Sequence, residues 1–368
     1  MVPGGPSRVR ATTQPDVKVS DTVSPAITAS HVYKVFGRRP ARGVRALEQG
    51  KSRDDLRKDG LTAAVIDASF EVQPGEIFVV MGLSGSGKST LLRTVNGLNP
   101  ATAGRVEVQG KDLSQLSDRE LRDVRRDDVS MVFQHFALLP HRTVGENAAY
   151  GLEIRGMNRT ERRERAERAL GMVGLEGWGR SMPGELSGGM QQRVGLARAL
   201  AAETPILLMD EAFSALDPLI RREMQDQLID LQERLGKTIL FITHDLNEAM
   251  RLGHRIAMMR DGEIVQIGTN EEILHAPAND YVAQFVQDVD RSRVLTARQI
   301  MEGGDAPAGA PTVPPGALVA DLVEIVADTD GPVAVVDGDR PLGVVSRGRL
   351  LRALAAHGAQ DTGTEVSA

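Results

Sequence analysis

At residues 82–90 the chain reads GLSGSGKST, which is Gly82-Leu83-Ser84-Gly85-Ser86-Gly87-Lys88-Ser89-Thr90. The apolar run from Ile77 to Met81 predicts a buried strand before it, and Leu91-Leu92 begins an apolar helix pattern after it. Glycines at such a junction let backbone N–H groups turn inward around phosphates, and the helix N-terminus adds partial positive charge. We therefore predict a nucleotide site in which Lys88 reaches the β- and γ-phosphates and Ser89 holds Mg²⁺.

A pair of carboxylates follows a second predicted strand. The run Ile206-Leu207-Leu208-Met209 is apolar and short, and Asp210-Glu211 comes directly after it. Ligand chemistry in open α/β sheets collects at the carboxyl ends of the strands. We expect Asp210 to hold Mg²⁺, directly or through water, and Glu211 to polarise the attacking water as a general base.

Shorter signals around these motifs predict a mostly parallel α/β core. The segments from Ala64 to Val72 and from Thr238 to Ile242 read as strands, and strands alternate with helical patterns along the chain. Residues 37–60 are charged and punctuated by glycine, which indicates a helical insertion between early strands. Paired Arg and Glu residues over 153–173 indicate a solvated helix face.

Composition excludes several classes of function. The 368 residues include no cysteine, which excludes disulfides, thiolate zinc sites and cysteine nucleophiles. A net charge of -6 provides no basic footprint for nucleic acid. No apolar run approaches the about 20 residues of a membrane span, and residues 1–20 lack the apolar core of a secretory signal. We expect a cytosolic chain that reaches a membrane only through a partner.

A third motif carries a family resemblance. Before an Ala- and Leu-rich helix pattern the chain reads Leu186-Ser187-Gly188-Gly189-Met190-Gln191-Gln192-Arg193, which presents a hydroxyl and bare N–H groups at a helix N-terminus. With the two nucleotide motifs, this string resembles the ABC transporter ATPases, whose signature is usually written LSGGQ. The resemblance covers about 27–290. It implies an α/β fold of the P-loop NTPase class, an ABC cassette with a mixed, mostly parallel sheet and a helical subdomain at about 135–200.

Further elements match this family in order. Gln134 resembles the Q-loop glutamine that links the nucleotide to the transmembrane partner, Ser214-Ala215-Leu216-Asp217 resembles the D-loop, and His244 resembles the switch histidine at the γ-phosphate. Phe36 stands where the family places an aromatic that stacks on adenine, with Tyr33 as the rival. The resemblance implies catalytic roles for Glu211, His244 and Gln134, and Mg²⁺ binding by Ser89, Gln134 and Asp210. It implies ATP binding by Phe36, Gly82, Ser84, Gly85, Ser86, Gly87, Lys88, Ser89, Thr90, Ser187, Gly188 and Gly189.

The same resemblance implies a mechanism that needs two copies of the chain. ATP bound by Lys88 and Ser89 of one copy is closed over by Ser187, Gly188 and Gly189 of the other. Binding of two ATP molecules closes the homodimer, and hydrolysis releases it. These movements drive transmembrane permease subunits, so the resemblance places the chain at the cytoplasmic face of the cell membrane, held there by the permease.

Longer strings point to one subfamily. IFVVMGLS at 77–84, VRRDDVSMVFQHFALLPHRTVGENAAYGLEIRGM at 124–157, GELSGGMQQRVGLARAL at 184–200 and YVAQFVQDVDRSRVLTARQIM at 281–301 resemble the glycine betaine/L-proline importer ATPases, as does the insertion around 46–50. Met190 is common in that subfamily. The resemblance implies import of compatible solutes such as glycine betaine, proline betaine, choline or proline, with an extracytoplasmic substrate-binding protein as a further partner. It identifies no residue that selects the solute.

The C-terminal region resembles a CBS module. TVPPGALVADLVEIV and GPVAVVDGDRPLGVVSRGRLLRAL predict helix, strand, strand, helix, and VLTARQIM at 294–301 resembles the opening of another copy. One module either pairs with that of a second chain or serves as structure, and CBS modules often bind adenine nucleotides. We predict a disordered leader at 1–25, an ABC ATPase domain at 26–290, a linker at 291–316, the CBS-like module at 317–358 (or from 311) and a disordered tail at 359–368.

Three rival functions fit less well. ABC ATPases of DNA repair usually insert a long coiled coil, whereas the segment between Lys88 and Asp210 has no sustained heptads. Translation factors of this family carry two cassettes in one chain, and a P-loop kinase would lack the LSGG string. Another importer class, such as one for methionine or polyamines, stays open as the alternative substrate range.

Overall fold

The computed structural model describes residues 24–134, 137–287, 292, 294–307, 309–329, 331–338 and 340–355. The predicted leader (apart from its last two residues) and the tail at 359–368 lie outside them. In chain order the strands are β1 (Ile27–Phe36), β2 (Thr62–Val72), β3 (Ile77–Met81), β4 (Ala103–Val108), β5 (Lys111–Asp112), β6 (Val129–Val132), β7 (Ile206–Asp210), β8 (Thr238–Thr243), β9 (Arg255–Arg260), β10 (Glu263–Gly268), β11 (Thr312–Val313), β12 (Val333–Asp337) and β13 (Arg340–Val345).

Helices connect and flank these strands. In chain order they are α1 (Pro40–Glu48), α2 (Arg53–Lys58), α3 (Lys88–Val95), α4 (Asp118–Asp127), α5 (Val144–Ala148), α6 (Tyr150–Ile154), α7 (Arg159–Met172), α8 (Gly188–Ala201), α9 (Pro218–Leu235), α10 (Leu246–Leu252), α11 (Asn270–His275), α12 (Asp280–Gln287), α13 (Ala297–Ile300), α14 (Val319–Ala327) and α15 (Arg347–Ala355). No helix within the described ranges is long and apolar enough to span a membrane.

The central sheet is mixed and mostly parallel, as predicted. Its order is β10-β9-β3-β8-β7-β6, and every neighbouring pair is parallel except β10 with β9. Strands β3, β7 and β8 are buried along their whole length, which explains why the sequence shows them as unbroken apolar runs. The parallel strands therefore deliver their carboxyl ends to one edge of the sheet.

A second, antiparallel sheet has the order β2-β1-β4-β5. The predicted helical insertion lies beside it as α1 and α2, between β1 and β2. Helix α2 begins with a capping box in which Ser52 and Asp55 satisfy each other's backbone N–H groups. Val44 and Leu56 of these helices pack into a small apolar cluster with Val35 of β1, which fixes the insertion against the sheet.

The predicted helical subdomain is present as α5 to α8. The apolar faces of α5, α6, α7 and α8 share the main core through residues such as Ala148, Leu152, Leu170 and Val194. The predicted run over 153–173 begins at the end of α6, and most of it forms α7. Arg163 and Arg165 of α7 pair one turn away with Glu167 and Glu161. This matches the predicted solvated face.

The C-terminal unit has the order β11-β12-β13 with helices α13, α14 and α15. The predicted helix, strand, strand, helix pattern is confirmed as α14, β12, β13 and α15. The prediction of a linker at 291–316 is wrong for its described residues 294–301, which pack against the unit. Leu295 and Ile300 are buried, and the Val319 N–H donates to the Leu295 carbonyl. The string VLTARQIM thus packs within this same unit. Burial of the large apolar side chains of this string stabilises its packing in the unit. Only the Gly-, Ala- and Pro-rich residues that follow the string have the composition of a linker.

Candidate functional site

The register of the central sheet brings the predicted site residues to one edge. Met81 at the end of β3 lies opposite Thr243 of β8, and Ile242 of β8 lies opposite Asp210 of β7. Val132 of β6 lies opposite Met209 of β7. The phosphate loop (residues 82–87), His244 and Glu211 directly follow these strands, and Gln134 comes two residues after β6, so one sheet edge carries them all.

Two glycines of the phosphate loop leave no room for a side chain. A Cβ on Gly82 would lie 2.0 Å from the Met259 carbonyl oxygen, and one on Gly87 would lie 2.0 Å from that of Ala64. Their φ angles are 153° and 105°, which L side chains rarely adopt. Gly85 also has a positive φ, 79°, but open space around it. The loop therefore needs glycine at 82 and 87 for close backbone contact.

Lys88 is turned inward at the start of α3. Its Nζ donates to the carbonyl oxygens of Gly82 at 2.8 Å and Leu83 at 3.0 Å, and lies 4.0 Å from Glu211 Oε1. Burial lowers the pKa of this ammonium, and the Glu211 and Asp210 carboxylates oppose that shift. A cation whose hydrogen bonds all go to carbonyls of the phosphate loop is placed to bind an anion there.

Oxygen ligands suited to Mg²⁺ lie next to the loop. The Ser89 hydroxyl donates to Asp210 Oδ1 at 2.7 Å, and the other oxygen of that buried carboxylate lies 3.7 Å from Arg93. The Ser86 hydroxyl is buried with no partner among the described residues. An unpaired buried hydroxyl is unfavourable, so Ser86 fits a site that a polar ligand completes.

Glu211 is the meeting point of the three predicted catalytic side chains. Its Oε2 lies 3.1 Å from His244 Nδ1 and 3.5 Å from Gln134 Nε2. Its backbone is at φ 46°, a left-handed conformation in which its N–H donates to the Ile242 carbonyl of β8. Non-glycine residues adopt this conformation seldom, and mostly where the surrounding structure holds them.

The signature residues lie elsewhere on the chain. Ser187 caps α8, accepting from the Met190 N–H at 3.3 Å, and Ser187 and Gly188 are exposed. Gly189 packs so closely on Ile220 that a Cβ would lie 2.7 Å from Cγ2. Among the described residues, no hydrogen bond or ion pair joins these three to the phosphate loop. Asp217 of the D-loop string caps α9 through the Leu219 and Ile220 N–H groups.

The two aromatic rivals differ in exposure. Phe36 is 40% exposed, with Lys34 Nζ 5.1 Å from its ring centroid. Tyr33 is half-buried against the apolar cluster of the insertion, and burial raises the pKa of its phenol. Phe36 is therefore the more exposed of the two rings.

Sequence reasoning missed two side chains at the loop. Arg53 of α2 donates to the Gly85 carbonyl at 3.2 Å. The Tyr281 hydroxyl on α12 donates to the Met259 carbonyl, against which Gly82 packs, at 3.5 Å, and burial raises the pKa of this phenol. Neither belongs to a motif, and both are far from the loop in sequence. The only sequence feature that pointed to Arg53 was its place in the charged, glycine-containing insertion at 37–60.

Comparison with known proteins decides the family. The sequence profile described as ABC transporter matches residues 65–214. The chain is 46% identical to the glycine betaine transport ATP-binding protein OpuAA of Bacillus subtilis, over 90% of this chain and 93% of that protein. The chain belongs to the ABC transporter family of ATP-binding subunits.

Two further comparisons extend that result. The trimethylamine N-oxide transport system ATP-binding protein TmoW of Ruegeria pomeroyi is 48% identical over 88% of this chain and 95% of its own length. A solved dimer of the ATP-binding cassette MJ0796, bound to ADP and Pi, covers 66% of this chain and 98% of its own at 34% identity and a TM-score of 0.56. ABC transport subunits are ATPases coupled to transport, they dimerise and pair with permease subunits, and they are peripheral membrane proteins.

Proposed function

We propose that this ABC subunit hydrolyses ATP to energise an importer of methylated compatible solutes, with glycine betaine as the main solute. The observation that carries the ATPase part is the convergence at Glu211, where Lys88, His244 and Gln134 all lie within 4.0 Å of its carboxylate. The relatives named for glycine betaine and trimethylamine N-oxide transport support the solute class.

The phosphate loop supplies the anion site. In this proposal the β- and γ-phosphates replace the Gly82 and Leu83 carbonyls as partners of Lys88 Nζ. Backbone N–H groups of the loop and the N-terminus of α3 donate to the same phosphates. Ser84, Gly85 and Thr90 belong to this site by their place in the motif, and Phe36 stacks on the adenine with its exposed face.

The donor set beside the loop fits Mg²⁺. A hydroxyl, a carboxylate and an amide oxygen are hard ligands, and Ser89, Asp210 and Gln134 provide them. The bound ion would neutralise charge on the phosphate oxygens. Ser89 and Asp210 already share a hydrogen bond, so the two ligands are held together before the ion binds.

Glu211 and His244 perform the proton and positioning chemistry. Glu211 accepts a proton from the attacking water, because its carboxylate stands at the sheet edge beside the phosphate loop. His244 orients that carboxylate from one side and reaches toward the γ-phosphate. Gln134 contacts the same carboxylate oxygen as His244, senses the bound nucleotide and transmits its presence toward the permease.

A second copy of the chain completes the site. Ser187, Gly188 and Gly189 present a hydroxyl and N–H groups at the N-terminus of α8, where Ser187 and Gly188 are exposed. Placed across a dimer, these donors would bind the γ-phosphate held by the partner chain. The dimeric state of the MJ0796 cassette supports this arrangement.

The permease contact is proposed at a groove of the helical subdomain. The groove has a volume of about 690 Å³ and lies between α5 and α7. Its lining includes the apolar side chains of Ala166 and Leu170 and charged side chains of both signs: Arg159, Arg162, Arg163, Arg180, Glu146, Glu167 and Glu176. Apolar side chains bordered by charges of both signs suit an amphipathic permease segment. An extracytoplasmic substrate-binding protein completes the importer and delivers the solute.

The C-terminal unit is proposed to regulate the cassette as a CBS-like module with an adenine nucleotide as ligand. The helix, strand, strand, helix order supports the likeness. Calorimetric titration of AMP into the Lys88→Ala chain tests this, because that variant removes the main phosphate contact of the cassette. A stoichiometric binding signal supports regulation, and its absence leaves the unit a structural part.

Uptake by vesicles tests the solute class. The chain is reconstituted with its permease and binding protein, ATP is supplied on the cassette side, and labelled glycine betaine is followed. We expect uptake that unlabelled proline betaine or trimethylamine N-oxide inhibits and that methionine or spermidine does not. Uptake of methionine or spermidine without glycine betaine uptake would assign the chain to the alternative importer class.

A further inference from the structure

The insertion between β1 and β2 reaches the phosphate loop through one side chain. Arg53, the first residue of α2, donates through Nη2 to the Gly85 carbonyl and through Nη1 to Asp261 Oδ1, both at 3.2 Å. The Arg53 side chain is only 25% exposed, whereas that of Asp261 is 71% exposed. The guanidinium is therefore enclosed between the loop and the β9–β10 turn.

The Gly85 and Ser86 carbonyls each accept a hydrogen bond from a residue outside the phosphate loop. The Gly85 carbonyl accepts from Arg53, and the Ser86 carbonyl accepts from the Gly262 N–H at 3.0 Å. In a planar trans peptide the N–H points opposite to the carbonyl. Holding the Ser86 carbonyl outward therefore turns the Gly87 N–H toward the inside of the loop, where a phosphate binds.

Arg53 restrains the preceding peptide, between Gly85 and Ser86, in the same way as Gly262 restrains the peptide between Ser86 and Gly87. The Ser86 N–H, opposite the Gly85 carbonyl, donates to the Leu83 carbonyl at 3.2 Å and closes the turn of the loop. Gly85 has a positive φ, and no described atom would lie within 4 Å of a Cβ at this position, so packing alone does not fix its peptide. The Arg53 hydrogen bond is the contact that limits rotation of this peptide from outside.

Asp261 joins Arg53 to the other side of the loop. Its Oδ2 lies 3.4 Å from Arg260 Nε, and the Arg260 guanidinium stacks on Tyr281 of α12 at 4.7 Å. The Tyr281 hydroxyl in turn donates to the Met259 carbonyl at 3.5 Å, which is the carbonyl that Gly82 of the phosphate loop packs against. We call Arg53, Asp261, Arg260 and Tyr281 the outer clamp, because together they follow the outside of the phosphate loop.

We propose that Arg53 is a positioning residue for ATP, which orders the phosphate loop by holding the Gly85 carbonyl against Asp261. This inference rests on the proposed ATPase function and assigns the insertion a role in it. Arg53 reaches the nucleotide through the loop and touches none of the residues at Glu211. Its loss should therefore act on nucleotide affinity and leave the hydrolytic step nearly unchanged.

A simple charge effect predicts a different pattern. If Arg53 only attracted phosphate through its charge, Asp261→Asn would strengthen nucleotide binding, because it removes a negative charge from the same place. Under positioning, Asp261→Asn weakens binding, since the guanidinium loses one of its two anchors. Asn tolerates the φ of 52° found at Asp261, so the substitution introduces little backbone strain.

The experiment titrates MgADP into the full chain and measures ATP hydrolysis in the complex with its permease. We expect Arg53→Ala and Asp261→Asn each to raise the MgADP Kd and the KM for ATP about 3- to 10-fold, the range of one lost hydrogen bond, with kcat changed less than about twofold. The double variant should be no weaker than Arg53→Ala alone, because both changes break one linkage.

Arg57→Ala is the matched control. Arg57 lies on the same helix, is 73% exposed and pairs with Asp54 at 3.9 Å, so its removal changes the net charge of α2 equally without touching the loop. Thermal unfolding is measured for every variant. A Kd in Arg53→Ala equal to wild type, an equal weakening in Arg57→Ala, or tighter binding in Asp261→Asn would each overturn positioning. Failure of the wild-type chain to bind MgADP would instead overturn the proposed function.

Discussion

His244 Nδ1 lies 3.1 Å from Glu211 Oε2, although 33 residues separate them in the chain. The two side chains follow the neighbouring strands β7 and β8, and the left-handed backbone at Glu211 turns its carboxylate toward His244. A carboxylate fixed by a neighbouring ring keeps one orientation before the substrate arrives. The predictions at the site depend on this arrangement.

Glu211→Gln should separate binding from hydrolysis. The amide keeps the shape of the side chain but cannot accept the proton of water, so turnover should fall by about 10²- to 10⁴-fold while MgATP still binds. Equilibrium MgATP binding and steady-state phosphate release, measured on the same preparation, check both halves. Hydrolysis near the wild-type rate would refute Glu211 as the general base.

His244→Ala should lower kcat by about 10²-fold, because it removes one preorganised partner of Glu211. His275→Ala is the matched control, since His275 is exposed at the end of α11. Steady-state hydrolysis at saturating ATP measures the effect. Equal kcat values for the two variants would contradict the positioning of Glu211 by His244.

Mixed dimers should reveal that each site uses two chains. Lys88→Ala removes the phosphate contact, and Ser187→Arg blocks the signature surface, so each variant alone should be inactive. A dimer that contains one chain of each kind keeps one intact site, built from the unaltered Lys88 of one chain and the unaltered Ser187 of the other. Mixing the two variants should therefore restore part of the ATPase activity. No restoration in verified mixed dimers would place both functions in a single chain.

Gly87→Ala and Gly85→Ala should differ sharply. A Cβ at Gly87 meets the Ala64 carbonyl at 2.0 Å, so β2 or the loop must shift, whereas the space around Gly85 is open. Gly85→Ala should cost roughly 1 kcal/mol of unfolding free energy from its left-handed backbone alone. Gly87→Ala should cost more than that and abolish MgADP binding. Denaturant unfolding and nucleotide titration measure both. Similar behaviour of the two variants would contradict the close approach of β2.

Glu248→Gln should reduce the pH dependence of stability. Burial raises the pKa of the Glu248 carboxyl, whose Oε1 accepts from Gln225 Nε2 at 3.1 Å. Because the folded pKa exceeds the unfolded one, the wild-type chain loses stability as the pH rises from about 4.5 through the folded value. The variant should lack this loss, so at pH 7 it should unfold at a higher temperature than the wild-type chain. Unfolding curves at pH 5 and 7 test this, and an unchanged difference between the two pH values would contradict it.

Much of the fold was predictable because the central strands are continuous apolar runs. Strands β3 and β7 end directly at residues that carry chemistry, so position along the chain alone placed Lys88 and Glu211 at the same sheet edge. The helix, strand, strand, helix order near the C-terminus followed from periodicity in the same way.

Contacts between distant segments were not predictable from one sequence. The enclosure of Arg53 depends on how α1 and α2 pack against β1 and β2, and no local pattern encodes that. The packing of Leu295 and Ile300 within the C-terminal unit was hidden by the Gly- and Pro-rich residues that follow them. Composition describes each segment alone, whereas burial depends on its neighbours.

Solute-stimulated ATP hydrolysis tests the central claim most directly. The chain is reconstituted in vesicles with its permease and binding protein, and phosphate release is measured with and without glycine betaine at several ionic strengths, beside Glu211→Gln as the inactive control. We predict that glycine betaine raises the rate in the wild-type complex and has no effect in the variant. A rate of hydrolysis that glycine betaine does not change but that methionine or a polyamine raises would contradict the account.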